Sequence, residues 1–301
     1  MPDRLPISYD DATLRRGTYD AERNRRTELS RREWVLCAGG LLLATRAAAQ
    51  SKLLPLNSSG LDHLSITVPD ALAAATFYRK IFDPQVFHER TGVQRYYVRI
   101  GSAYLAFGPQ ANATPYIDHI AAGVIDFVEQ DFNKPEIKTQ ITAAGLAVPG
   151  AGLPMLSDPD NLRLQLVNTT HGLFDTLMPG GRVTIEPPAV TPMGLDHITV
   201  SVTDLEKSMA HYRKLFGQEV SREKNPQRVW FKLAGTKLAL EVVAPGQKPG
   251  FSHYCVKVAG FDRTSVTARL AKLGVKGETG AEKATLRFRD LYSLPVELVA
   301  G

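Results

Sequence analysis

The chain has 301 residues, 44% apolar and 22% charged, a globular composition of two-domain length that excludes a disordered, collagen-like or simple coiled-coil chain. Lys and Arg number 36 against 31 Asp and Glu, and nine of the arginines fall in residues 1–49, so the rest is only mildly basic and no nucleic-acid surface is indicated. Two cysteines, Cys37 and Cys255, exclude a disulfide scaffold and a Cys-rich zinc site, and no run of about 18 apolar residues could stably span a membrane.

Residues 1–49 read as a leader. Ser30-Arg31-Arg32-Glu33-Trp34-Val35-Leu36 is a charged region, Cys37 to Ala44 a short apolar one, and Ala47-Ala48-Ala49 a small-residue cleavage stretch. The paired arginines resemble a twin-arginine export signal. The expectation is export to the periplasm or the cell exterior through the twin-arginine machinery, with the mature chain folded before export.

Four modules follow. A strand over 61–68 precedes a helix over 70–82 and strands near 85–90, 94–100 and 103–108. A second round opens at 116–120, with a helix over 133–144 and strands near 153–157 and 162–168. The third has a strand over 195–202, a helix over 204–216 and strands over 218–223, 228–233 and 237–243. The fourth has a strand over 252–258, a helix over 262–273 and strands near 276–278, 284–289 and 295–300. The expected order, strand–helix–three strands, occurs four times in an α+β chain. Gly and Pro across 169–194 read as a linker between two domains, 50–168 and 195–301.

The halves repeat each other. Leu61-Asp62-His63 returns as Leu195-Asp196-His197, and Tyr78-Arg79-Lys80 as Tyr212-Arg213-Lys214; 11 of 29 positions over 61–89 and 195–223 are identical. At the same offset of 134 residues His119 corresponds to His253, and near the ends, at an offset of 132, the turn after Asp158 aligns with that after Asp290.

Strand alternation then assigns faces. Asp196, Ile198, Val200 and Val202 share one face and His197, Thr199 and Ser201 the other. Glu241, His253 and Glu297 also fall on the polar face, so one sheet face carries two imidazoles and two carboxylates. That is a divalent-metal ligand set. Arg228, Trp230 and Arg287 point to the same cup and are the expected substrate-binding residues. His88, His171 and His211 lack this pattern and are assigned to the surface or the linker.

Four such modules, with His early in a first strand and a carboxylate in a last strand, resemble the vicinal oxygen chelate (VOC) superfamily, which includes glyoxalase I, methylmalonyl-CoA epimerase, fosfomycin and bleomycin resistance proteins and type I extradiol dioxygenases. The resemblance covers 61–168 and 195–301. It implies two domains, each of two paired βαβββ modules, joined within the chain or across a homodimer, and one divalent ion (Fe, Mn, Ni, Co or Zn) per site. It places metal ligands at His197, Glu241, His253 and Glu297. The equivalent positions in the first half are His63, Gly108, His119 and Gln165. That half has no carboxylate there and is read as degenerate.

Three functions follow from the resemblance. The first is a metal-dependent lyase or isomerase on a small oxygen-rich substrate, with Glu241 and Glu297 as catalytic carboxylates moving a proton. The second is an Fe(II) extradiol dioxygenase, for which His197, His253 and Glu297 suffice. The third is a non-catalytic small-molecule binder. Residues 237–252 contain no His where ring-cleaving relatives place an acid–base His, which ranks proton transfer first.

Overall fold

The computed structural model describes residues 52–83, 85–150, 152–168, 173–182, 187–224, 227–280 and 284–301. The leader expected over 1–49 lies outside them, as do parts of the expected linker and His171.

The first half comprises β1 (Ser58–Val68), α1 (Ala71–Ile81), β2 (Gln85–His88), β3 (Tyr96–Ile100), β4 (Ala103–Pro109), β5 (Tyr116–Val124), α2 (Pro135–Ala143), β6 (Met155–Ser157) and β7 (Arg163–Asn168). A short helix α3 (Leu173–Thr176) and strand β8 (Met178–Arg182) follow. The second half comprises β9 (Pro192–Val202), α4 (Leu205–Phe216), β10 (Ser221–Lys224), β11 (Gln227–Leu233), β12 (Thr236–Val242), β13 (Gly250–Val258), α5 (Arg263–Lys272), β14 (Gly277–Thr279), β15 (Leu286–Arg289) and β16 (Pro295–Ala300).

Local chemistry starts the helices where the sequence places them. Asp70, Asp204 and Asp262 cap α1, α4 and α5 by accepting from the backbone N–H three residues on, and Pro135 opens α2. Two departures from the expected order are informative. In the second module the first of the three strands after the helix shrinks to a single bridge, Ala147 to Ser157. The 169–194 segment is more than a linker, because β8 adds to the first sheet by pairing with β2. It covers an edge that would otherwise present unpaired N–H and C=O groups.

Each half is one eight-stranded mixed sheet, ordered β6-β7-β5-β1-β4-β3-β2-β8 and β10-β11-β12-β9-β13-β16-β15-β14. At the centre of each sheet the first strands of consecutive modules pair antiparallel, β1 with β5 and β9 with β13. Modules therefore pair within the chain. The apolar face of each sheet is closed by its helices, with Ile66, Tyr78, Phe107, Ile198, Tyr212 and Phe231 fully buried.

The halves are fastened reciprocally. Tyr78 of α1 donates to Asp290 Oδ2 at 2.8 Å and accepts from Tyr254 at 2.8 Å; Tyr212 of α4 donates to Asp158 Oδ2 at 3.2 Å. Tyr78 and Tyr212 are repeat counterparts, and so are the two aspartates. Each half thus reaches into the last turn of the other. The second oxygen of each aspartate accepts two backbone N–H groups of its own turn, Asp160 and Leu162 or Tyr292 and Leu294, which holds the turn in shape.

Candidate metal centre

The register brings three of the expected residues together. His197 pairs across the sheet with Cys255, and Thr199 with His253, so a local two-fold relates β9 to β13. Cys255 in turn pairs with Glu297 on β16. One ligand atom each of His197, His253 and Glu297 lies within 4.8 Å of the others, and all three side chains are buried. The two Nε2 atoms are 3.4 Å apart, and Glu297 Oε2 is 3.9 Å from His253 Nε2.

Glu241 is not brought into this group. On β12 the residue opposite Thr199 is Ala239, and Ala239 is therefore the two-fold counterpart of Glu297. Glu241 lies two residues further on, opposite Ser201. Its Oε1 accepts from Ser201 at 3.3 Å and Ser252 at 3.1 Å, and its Oε2 accepts from Arg228 at 3.0 Å. Matching the halves pairs Glu241 with Gly108, since Gly108 lies opposite Thr67 and Glu241 opposite its counterpart Ser201, whereas the symmetry within one sheet is what assigns the ligand position.

The expected substrate residues all face the cup. Arg228 is buried beside Trp230, its guanidinium 5.5 Å from the indole centroid, and its Nε has no hydrogen-bond partner among the described residues. Trp230 stands edge-on to His197 at 5.1 Å and donates to Glu223 at 2.7 Å. Arg287 grips Glu297 Oε1 through Nε at 2.9 Å and Nη2 at 2.5 Å, leaving Oε2 toward His253. Its contact in the structure is the ligand carboxylate, where the sequence points to substrate.

A feature that strand alternation hides is shared by all four cup histidines. Asp62, Asp118, Asp196 and Ser252, each preceding one of them, are the extra residue of a β-bulge. A bulge turns its residue out of the alternating pattern. Asp196, assigned by alternation to the apolar face, instead reaches His197 Nδ1 at 2.8 Å; Asp62 and Asp118 do the same to His63 and His119 at 2.6 and 2.7 Å. The signal available in the sequence was the thrice-repeated Asp-His pair. Burial pushes the Asp196 carboxyl up, but the His197 hydrogen bond and the charges of Lys237 and Lys257 outweigh it and hold Asp196 below the usual carboxylate range. Burial lowers His253 to about 4 despite the opposing Glu297 charge, so its ring is neutral near pH 7.

This donor set fits a divalent ion: two imidazoles and one carboxylate converge in a buried site. With Asp196 accepting from Nδ1–H, Nε2 is the His197 nitrogen that faces His253 and Glu297 and is left to ligate an ion.

In the first half the matching positions hold His63, His119 and Gln165, with Ala106 as the fourth. Tyr104 stacks on His63 at 4.5 Å, and Phe174 of α3 packs edge-on against Tyr104 under the Arg99 guanidinium, which is 4.1 Å from its centroid. This cup is filled by side chains. His211, expected at the surface, is buried on α4. His88 lies half-buried on β2, its Nδ1 2.9 Å from Glu89 O.

Residues 194–289 match the family model of the Glyoxalase/Bleomycin resistance protein/Dioxygenase superfamily. The fold is similar to that of the 2,3-dioxygenase LapB from Pseudomonas sp. KL28, at 14% identity and a TM-score of 0.59, over 82% of this chain and 93% of that one. It is comparably similar to the Mn(II)-bound glyoxalase from Novosphingobium aromaticivorans, at 13% identity and a TM-score of 0.58, over 82% of both chains. A single-residue variant of homoprotocatechuate 2,3-dioxygenase from B. fuscum matches at 12% identity and a TM-score of 0.57, over 81% of this chain and 72% of that one. The fold thus resembles two paired VOC-type domains, as found in the ring-cleaving and glyoxalase structures alike.

Proposed function

We propose that this chain is a divalent-metal-dependent enzyme acting on a small oxygen-rich substrate by proton transfer, with its centre at His197, His253 and Glu297. The convergence of those three buried donors carries the reading. An ion held there, Fe, Mn, Ni, Co or Zn, would polarise substrate oxygens as a Lewis acid. The residues around it divide the remaining work. Arg287 orients Glu297 by engaging its far oxygen. Arg228 and Trp230 wall the cup. Glu241 sits on the same face about 7 Å along β12 from the ligand position of Ala239, and is available as a base toward substrate carbon without leaving the ion.

A second reading is Fe(II) extradiol ring cleavage. One observation favours it: without Glu241 the donors are two His and one carboxylate, the set used by non-haem Fe(II) oxygenases. Glu241→Gln separates the two. Under proton transfer, the variant keeps its metal but loses deuterium exchange into a 2-keto or 2-hydroxy acid. Under ring cleavage, oxygen consumption with catechols stays near the parent's rate. A metal-loaded protein inert to both classes that binds a small oxyanion is a binding module. Export through the twin-arginine machinery is part of the proposal and rests on Arg31-Arg32. Replacing both with Lys leaves unprocessed precursor in the cell, and unchanged processing would refute that route.

A further inference from the structure

We propose that Asp196 is the positioning residue of the metal centre: it sets the tautomer and the aim of His197, and through them how tightly the triad holds an ion. The inference deepens the metal-enzyme reading above and rests on it. Adjacent residues of a regular strand face opposite sides, so an aspartate preceding a histidine cannot ordinarily touch it in the sheet. Here the bulge between β9 and β13 leaves Asp196 unpaired and swings it onto the His197 side, 2.8 Å from Nδ1. The carboxylate oxygen can only accept, so Nδ1 carries a hydrogen, and in the neutral ring the lone pair is the one on Nε2. That lone pair is directed at the space shared with His253 Nε2 and Glu297 Oε2. Lys237 lies 3.7 Å from the Asp196 oxygen that accepts from His197 and Lys257 3.7 Å from the other, which favours the charged form of Asp196.

The fourth bulge makes the two imidazoles unequal. Ser252 precedes His253, and its hydroxyl bonds Glu241 Oε1 and the Thr199 carbonyl instead of the ring. In the first half both bulges carry aspartate and both rings are fixed, yet among the described residues no carboxylate completes a triad there. Asp62 is therefore the internal control: it makes the same buried contact without a metal centre to serve.

The test uses the whole chain, 15N-labelled at histidine. Long-range 1H–15N spectra of the metal-free protein at neutral pH are expected to show His197 protonated at Nδ1, with that state lost in Asp196→Asn and Asp196→Ala. Zn(II) competition against a chelator is expected to show both variants binding about ten- to a hundred-fold more weakly. Asp62→Asn should leave Zn(II) affinity unchanged while losing comparable stability. A His197 protonated at Nε2 in the parent, or Asp196→Asn binding within two-fold of it, overturns the assignment. A parent that binds no Zn(II) at all refutes the metal-enzyme reading, and the tautomer measured without metal then still decides whether Asp196 sets His197.

Discussion

His63 and His119 in the first half meet edge to face with ring centroids 5.6 Å apart, and His197 and His253 in the second do so at 5.5 Å. The backbone delivers the same imidazole pair twice, through the same bulges. What differs is the third position and the filling of the cup. Glu297 stands in one half and the uncharged Gln165 in the other. Phe174, Leu173 and Leu177 pack onto Tyr97, Tyr104 and Ala106 in the first cup. In the second, the outer strand β10 is exposed along its whole length. A duplicated scaffold thus separates placing histidines, which the fold does in both halves, from making a charged donor set, which one residue decides.

The sharpest way to break this contrast is to exchange that residue. Glu297→Ala or His197→Ala should reduce bound metal from one equivalent to none by elemental analysis, with activity lost alongside, while His63→Ala should change neither. In the opposite sense, Gln165→Glu should raise metal content toward two equivalents, since it restores the missing carboxylate beside two oriented rings. A first half that still takes no ion would show that the Phe174 filling, and not charge, keeps it empty.

A second contrast lies on the helices. His211 on α4 occupies the place of Phe77 on α1. Burial, aided by the Lys214 charge, lowers His211 from the ordinary histidine value of 6.5 to about 4. The neutral ring is the folded form, so its contribution is complete above pH 6.5 and is lost as pH falls from 6.5 to about 4, a total of about 3 kcal/mol. His211→Phe, copying the first half, should flatten that part of the urea-unfolding pH profile; an unchanged slope would place the acid sensitivity elsewhere.

The reciprocal fasteners give the smallest effect. Tyr78→Phe removes a hydroxyl that serves both Asp290 and Tyr254 and should cost about 2 kcal/mol, against about 1 kcal/mol for Tyr212→Phe, which frees only Asp158. Chemical denaturation of the two variants reads the difference directly. Equal losses would mean that the Tyr254 contact adds nothing.

The four modules, their helix starts at Asp70, Asp204 and Asp262, and the repeat joining His63 to His197 were legible in the chain itself. Periodicity and capping are local properties, and duplication is visible wherever two segments can be laid side by side. The face of each strand was legible as well, as Ile198 and Val200 in the core and His197 in the cup show. Alternation failed at Asp196, where one extra residue in a ladder shifts a side chain across the sheet, and a bulge is defined by the partner strand. Glu241 parted from the triad for the same kind of reason. Which residue of β12 lies opposite Thr199 is a matter of register between strands far apart in the chain. The contacts of Tyr78 with Asp290 and of Arg287 with Glu297 likewise depend on the surface that each element is folded against. Residue type and spacing determined which donors exist; pairing between distant strands decided which of them meet.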